Sequence, residues 1–236
     1  MFRHEYKYFS PEYTLQALEH RVGAVMHRDS HVGEQGFYAI RSLYFDDMYN
    51  TCYHENENGT DPREKFRIRI YNCSQERITL ELKQKQRGKT FKQSCPLSLS
   101  RCRTIMTGGI PDVQDSDCFL YKKLWTQLHV RQLHPVVIVS YERVPYIWKD
   151  GNVRVTFDRN IRSSSNISAF FDETMPSRSV LPSGTNLLEV KFDAFLPDFL
   201  YEILQTGTLR ETAFSKYFLC RKYALPGGVR RIYDYI

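Results

Sequence analysis

Arg67, Arg69, Lys83 and Lys85, in two short runs, are the first sign of chemistry in this 236-residue chain. Lys65-Phe66-Arg67-Ile68-Arg69-Ile70-Tyr71 and Ile78-Thr79-Leu80-Glu81-Leu82-Lys83-Gln84-Lys85 both alternate polar and apolar residues. Side chains on a strand change faces with a period of two, so both runs are predicted as strands. The short polar stretch Asn72–Arg77 joins them as a hairpin. Paired this way, Arg67, Arg69, Lys83 and Lys85 share a face with one carboxylate, Glu81. Crowded like charges are unfavourable without an anion among them, and guanidinium forks and ammonium groups are the side chains that bind phosphate.

Other segments repeat the pattern. Residues 3–9 alternate and put Glu5 and Lys7 on one face. Pro135–Arg143 is mostly apolar and ends on Tyr141 and Arg143, and Val153–Asp158 sets Arg154 opposite Val153, Val155 and Phe157. Leu187–Asp193 places Glu189, Lys191 and Asp193 together. Arg87-Gly88-Lys89-Thr90 imitates the end of a phosphate-binding loop, but Lys83 stands where the loop's first glycine belongs and no helix follows. It reads as a hairpin turn, with Lys92 on the returning strand. Asp46-Asp47 at the end of the Gly36–Asp46 strand reads as a turn rather than a metal pair.

Helical patterns supply the remaining elements. One starts at Ser10 as N-cap with Pro11 in the first turn and runs to about Met26. Others cover Leu97–Met106, Phe119–Leu128, the stretch from Pro197 to Gly207, and Ala213–Tyr223, which contains Ser215-Lys216-Tyr217. Five or six strands with charge opposite their apolar face suit a sheet curled around a wet, anion-filled lumen. A few carboxylates among many cations suit a divalent metal bridging phosphate oxygens.

Composition narrows the class. The net charge of +6 is compatible with an anionic ligand but does not mark a nucleic-acid binder. No stretch approaches the roughly 18 apolar residues of a membrane-crossing helix, and the N-terminus lacks the apolar core of a signal peptide. Six scattered cysteines without a CxxC pair read as free thiols of a reducing compartment, which points to the cytoplasm. Without an internal repeat or linker, residues 1–236 are expected to form one domain with a basic, tyrosine-rich tail from about residue 225.

In order and spacing, the motifs resemble the VTC domain, the catalytic domain of the vacuolar transporter chaperone polyphosphate polymerases. That family lies within the CYTH-like triphosphate tunnel metalloenzyme superfamily. The carrying motifs are Arg3-His4-Glu5-Tyr6-Lys7, Leu43-Tyr44-Phe45-Asp46, Phe66–Tyr71, Leu80-Glu81-Leu82-Lys83, Tyr141-Glu142-Arg143, Arg154–Asp158, Leu188-Glu189-Val190-Lys191 and Ser215-Lys216-Tyr217. The resemblance implies an α+β fold, a closed antiparallel β-barrel of about eight strands forming a tunnel with helices around it. It also implies a phosphotransferase that moves the terminal phosphoryl group of ATP to a growing inorganic polyphosphate or pyrophosphate acceptor. By motif position Lys7, Arg67, Arg69, Lys83, Lys92, Arg143, Arg154, Ser215 and Lys216 bind phosphates. Arg67, Arg69, Lys83 and Lys216 are expected to be catalytic through charge stabilisation, and Glu189 to hold Mn²⁺ or Mg²⁺.

One departure shapes the expectation. Hydrolases and cyclases of the superfamily begin with two glutamates and a lysine at alternate positions, whereas this chain has Arg3, Glu5 and Lys7. The lost carboxylate disfavours adenylate cyclase and thiamine triphosphatase readings and is compatible with the polymerase branch. A triphosphatase or polyphosphatase using water as acceptor is the alternative, followed by a non-catalytic polyphosphate- or nucleotide-binding module.

Overall fold

The computed structural model describes residues 2–33, 35–204 and 209–225. Its frame is one antiparallel sheet built from β1 (His4–Pro11), β3 (Tyr38–Asp46), β4 (Arg63–Tyr71), β5 (Thr79–Gln86), β6 (Lys89–Pro96), β7 (His134–Trp148), β8 (Val153–Ser164) and β10 (Thr185–Phe192). Their spatial order is β1-β10-β8-β7-β3-β4-β5-β6. The two-residue strands β2 (His27–Arg28) and β9 (Arg178–Ser179) pair with β7 and β8. Among the described residues six α-helices complete the fold: α1 (Glu12–Gly23), α2 (Thr51–Glu57), α3 (Leu99–Met106), α4 (Phe119–Val130), α5 (Asp198–Leu204) and α6 (Lys216–Ala224).

The sheet is curled, and its edge strands meet at one pair. Arg3 and Thr90 exchange both backbone hydrogen bonds, at 2.9 and 3.1 Å. A continuous ladder does not run between β1 and β6, so the expected closed barrel is here a curled sheet with touching edges.

Alternation decides which residues go to which side. Leu43 and Phe45 of β3, Phe66, Ile68 and Ile70 of β4, Leu80 and Leu82 of β5 and Ile138 of β7 pack outward against α3 and α4. A second outer cluster joins β8 and β10 to α1 and α5 through Val155, Phe157, Leu188, Val190, Leu15, Leu18 and Leu200. On the concave side, α6 covers the alternate residues of β3 and β7. Tyr44, Val137, Val139 and Tyr141 pack with its Tyr217 and Cys220. Burial on both faces explains the unbroken apolar run Val136–Val139. Burying each such side chain contributes about 1.5–3 kcal/mol, which helps offset the cost of lining the remaining concave surface with charge.

Several boundaries differ from the sequence reading. Pairing of Ser10 and Pro11 with Asn186 and Thr185 extends β1 through the predicted helix start, and α1 begins at Glu12 with no side-chain cap. It ends at Gly23, three residues short of Met26. β8 continues past Asp158 to Ser164 because a bulge absorbs the loss of alternation. The register slips between Ser140 and Glu142 of β7, and Asn160 takes a left-handed φ of +52°. The β5–β6 turn is Arg87-Gly88, both at positive φ, with its amides held by the Asp61 carboxylate at 3.0 and 3.3 Å. The expected helix end at Gly207 and the tail beyond Leu225 lie outside the described residues.

Candidate functional site

A cavity of about 500 Å³ opens within the curl. Among the described residues its wall carries ten Lys and Arg side chains against three glutamates. Lys7, Arg67, Arg69, Lys83, Arg143, Glu189, Ser215 and Lys216 all line it. Lys92 and Arg154, also expected to bind phosphates, do not belong to this lining. Lys92 reaches the Glu81 carboxylate at 3.1 Å, and Arg154 is held by Asp29 at 2.7 Å and the Tyr38 hydroxyl at 3.0 Å.

The wall cations are aimed by partners on neighbouring strands. Arg67 donates to Glu81 at 2.7 Å and to the Tyr44 hydroxyl at 2.8 Å. Arg69 donates to Ser42 at 3.2 Å and to the Tyr141 hydroxyl at 3.3 Å. Glu81 is buried between them and Lys92. Burial pushes its carboxyl up, but Arg67 and Arg69 outweigh that and hold it well below the usual range. Tyr44 is pulled the same way, its phenol lowered by Arg67 and Arg69 against burial.

A second cluster surrounds Glu189. Arg143 donates to it at 3.0 Å, Lys191 pairs with it at 2.8 Å, and the Lys216 ammonium stands 3.8 Å away. Behind these cations lies Asp158, wholly buried, which takes Arg143 on both oxygens at 2.6 Å and Lys216 at 2.6 Å. On the adjacent strand Glu5 pairs with Lys7 at 3.0 Å and Lys83 at 2.9 Å. Burial alone would raise the Glu5 carboxyl, yet Lys7 and Lys83 bring it down to about 2. Glu189 is likewise held well below the usual carboxylate range, by Lys191 and Lys216 against burial. Both carboxylates are therefore ionised at neutral pH.

Glu5 and Glu189 are the residues that could hold a metal. Lys7 is the cross-strand partner of Glu189 and Lys191 that of Glu5, so the two carboxylates stand diagonally on one face. Each lies within electrostatic reach of the other. Among the described residues no three metal-ligating side chains converge, so an all-protein cage is absent. One or two carboxylates completed by phosphate oxygens and water is nonetheless the set that small hard cations take. The pair fits a small divalent cation on that basis.

The N-terminus of α6 supplies the last wall. Ser215 caps it by accepting from the Phe218 amide at 3.3 Å, and Ser215, Lys216 and Tyr217 face the cavity. A helix start favours anions through its free amides and its dipole. The helix is anchored by Asp46, whose carboxylate accepts from the amides of Asp47, Cys52 and Tyr53 and from the Tyr217 hydroxyl at 2.5 Å. Asp46-Asp47 is thus scaffold, as the turn reading has it. Arg3 turns away from the cavity to pair with Asp193 at 2.7 Å.

The sequence reading assigned no role to several wall residues. Lys65 and Arg63 continue the alternation of Arg67 and Arg69 backwards, which was a signal available from spacing alone. Lys191 shares its face with Glu189. Asp158 and Tyr141 lie inside quoted motifs, but their reach could be seen only after strand order was known.

A curled antiparallel sheet with cations and paired carboxylates on its concave face has the chemistry of a polyanion site. The chain belongs to the VTC domain family, whose profile matches residues 2–225. No curated protein sequence matches it significantly. Among solved structures, one from Bacillus halodurans, described as a candidate adenylate cyclase, has a TM-score of 0.51 at 17% identity. The match covers 89% of this chain and 94% of that one, and at this identity it is a likeness of fold. A Pyrococcus horikoshii protein matches with a TM-score of 0.42 at 11% identity, covering 87% of this chain and 86% of that one. The Schizosaccharomyces pombe Mediator head module gives 0.47 at 9%, covering 88% and 92%. Both fall below the level at which a shared fold follows.

Proposed function

We propose that this protein is a polyphosphate polymerase that transfers the terminal phosphoryl group of ATP to inorganic polyphosphate or pyrophosphate. One observation carries the reading: six phosphate-binding candidates (Lys7, Arg67, Arg69, Lys83, Arg143 and Lys216) converge on one cavity beside the Glu5–Glu189 carboxylate pair. A simple anion trap gains nothing from carboxylates in its cationic wall, whereas metal-assisted phosphoryl transfer uses them.

The residues have distinct tasks. Arg67 and Arg69, fixed by Glu81, Tyr44, Ser42 and Tyr141, present rigid forks to equatorial phosphate oxygens. Arg143 and Lys216, both held by Asp158, neutralise charge that develops on the transferred group. Lys7 and Lys83 hold Glu5 ionised and add positive potential around the carboxylate pair. Glu5 and Glu189 would hold Mn²⁺ or Mg²⁺, which would supply charge neutralisation there. No side-chain nucleophile is required, because positioning and electrostatics carry most of phosphoryl transfer. The whole cavity lies within residues 1–236 acting as one domain. Among the described residues no helix is long and apolar enough to cross a membrane. Six free cysteines support a reducing, cytoplasmic setting.

The test is incubation of purified protein with ATP and Mn²⁺, followed by assay of both long polyphosphate and free phosphate. Polymer that disappears in Glu189→Gln supports the proposal. Free phosphate without polymer assigns water as the acceptor, and ATP binding without either product leaves a binding module.

A further inference from the structure

The cations of the cavity fall into two populations. Reading along the shared face of β4 and β5, the cross-strand pairs are Arg69–Thr79, Arg67–Glu81, Lys65–Lys83 and Arg63–Lys85. Thus the charge pattern changes partway. Arg67 meets a carboxylate, but the next two pairs set like charges directly opposite, an arrangement that destabilises a sheet. On β6, Lys92 is the partner of Lys83 and adds a third cation to that row.

What surrounds the two groups also differs. Arg67, Lys83, Arg143, Lys191 and Lys216 each have a glutamate or aspartate within ion-pair distance. Arg63, Lys65 and Lys85 have none among the described residues. Arg63 donates to the Thr60 carbonyl at 2.6 Å, and Lys65 donates to the Asn56 amide oxygen at 2.7 Å with its ammonium 4.8 Å from the Tyr217 ring centre. All three line the cavity, at the end beside Gly88 and Thr90 of the β5–β6 turn. Buried among Lys83, Arg63 and Lys7, the Lys65 ammonium is destabilised, with its pKa pushed down to about 7. Each of these features is a cost without an anion in place.

We propose that Arg63, Lys65 and Lys85 form a separate subsite for metal-free inorganic polyphosphate, distinct from the carboxylate-bearing end that takes the nucleotide triphosphate. The division rests on the polymerase reading and deepens it. Phosphates complexed to a divalent cation belong beside Glu5 and Glu189. Asp61 and Glu55 act on this cluster only from beyond ion-pair distance, so a bare polyanion finds three cations without a carboxylate partner. The acceptor chain therefore enters or leaves past the β5–β6 turn, and its phosphates relieve the like-charge pairs.

The experiment compares wild type with a Lys65→Met/Lys85→Met double variant, which keeps the apolar stems. Calorimetric titration uses two probes: medium-chain inorganic polyphosphate in EDTA, and the β,γ-imido analogue of ATP with Mn²⁺. Polyphosphate affinity is expected to fall about tenfold or more, as for the loss of charge-assisted contacts, with analogue affinity held within about threefold. Equal losses for both probes, or an unchanged polyphosphate affinity, overturn the subsite. The ligand-free double variant is also expected to melt above wild type, because two like-charge pairs are gone. An equal or lower melting temperature overturns the charge argument. If the double variant does not fold, Lys85→Gln alone carries the same comparison. Should wild type show this polyphosphate preference yet make no polymer from ATP, the polymerase reading fails and the subsite stands.

Discussion

Arg143 and Asp158 meet through two parallel hydrogen bonds, Nε to Oδ1 and Nη2 to Oδ2, both 2.6 Å long. The pair spans β7 and β8, and Asp158 is wholly buried while Arg143 opens onto the cavity. Asp158 also binds Lys216 from α6, so one carboxylate behind the wall fixes two cavity cations from different elements.

Asp158 is therefore a positioning residue. Asp158→Ala removes the bidentate partner of buried Arg143, leaving it Glu189 alone, and should cost about 3 kcal/mol in urea unfolding. Asp158→Asn keeps the shape and should fold, but with Arg143 and Lys216 misdirected. Its kcat should fall more than its KM rises, and an unchanged kcat would remove the positioning role.

Substitution of Glu5 or Glu189 by Gln separates metal use from anion binding. Each variant should lose metal-dependent turnover while retaining tripolyphosphate binding by calorimetry. Full activity in Glu189→Gln would make that residue structural.

Arg69→Ala removes a guanidinium braced by Ser42 and Tyr141 without touching the outer core. Charge-assisted hydrogen bonds contribute about 1.5–3 kcal/mol each, so triphosphate affinity should drop about tenfold to a hundredfold. The circular dichroism spectrum should not change. Undiminished affinity in a folded variant would take Arg69 out of the phosphate site.

Acid should unfold the protein through the carboxylates in and behind its cavity wall. Glu5 is lowered from 4.5 to about 2, and Glu81, Asp158 and Glu189 are lowered too. A carboxyl whose pKa is lower in the folded state adds stability that is complete above its unfolded value. That contribution is lost as pH falls through the folded value. The Glu5 contribution should thus hold above pH 4.5 and fade towards about 2. Melting temperatures measured down this range should fall less steeply in Glu5→Gln than in wild type. Parallel curves would argue against the shift.

Lys65 works with the opposite charge. Its pKa falls from 10.5 to about 7 on folding, so the unfolded chain binds more protons between those values and stability rises with pH there. Lys65→Met should be more stable than wild type at pH 7, with a gain that shrinks as pH approaches 10.5. A gain independent of pH would assign the effect to packing.

Alternation along each strand determined much of this protein before any folding. It identified the strands, separated Phe66, Ile68 and Ile70 from Arg67 and Arg69, and put Glu5 with Lys7 and Glu189 with Lys191. A period of two is local, carried by neighbours in the chain. The tertiary structure decided which strands lie side by side, and therefore which charges pair. It set Asp158 behind Arg143, gave Glu81 to Arg67 and left Lys65 opposite Lys83. It turned Arg3 towards Asp193 and Arg154 towards Asp29, although both occupy strand or near-strand positions with suitable chemistry. It also placed α6 against the concave face, where Tyr217 reaches Asp46 across 171 positions of sequence. Strand order and the reach of long side chains depend on contacts between distant segments, and no local period encodes them.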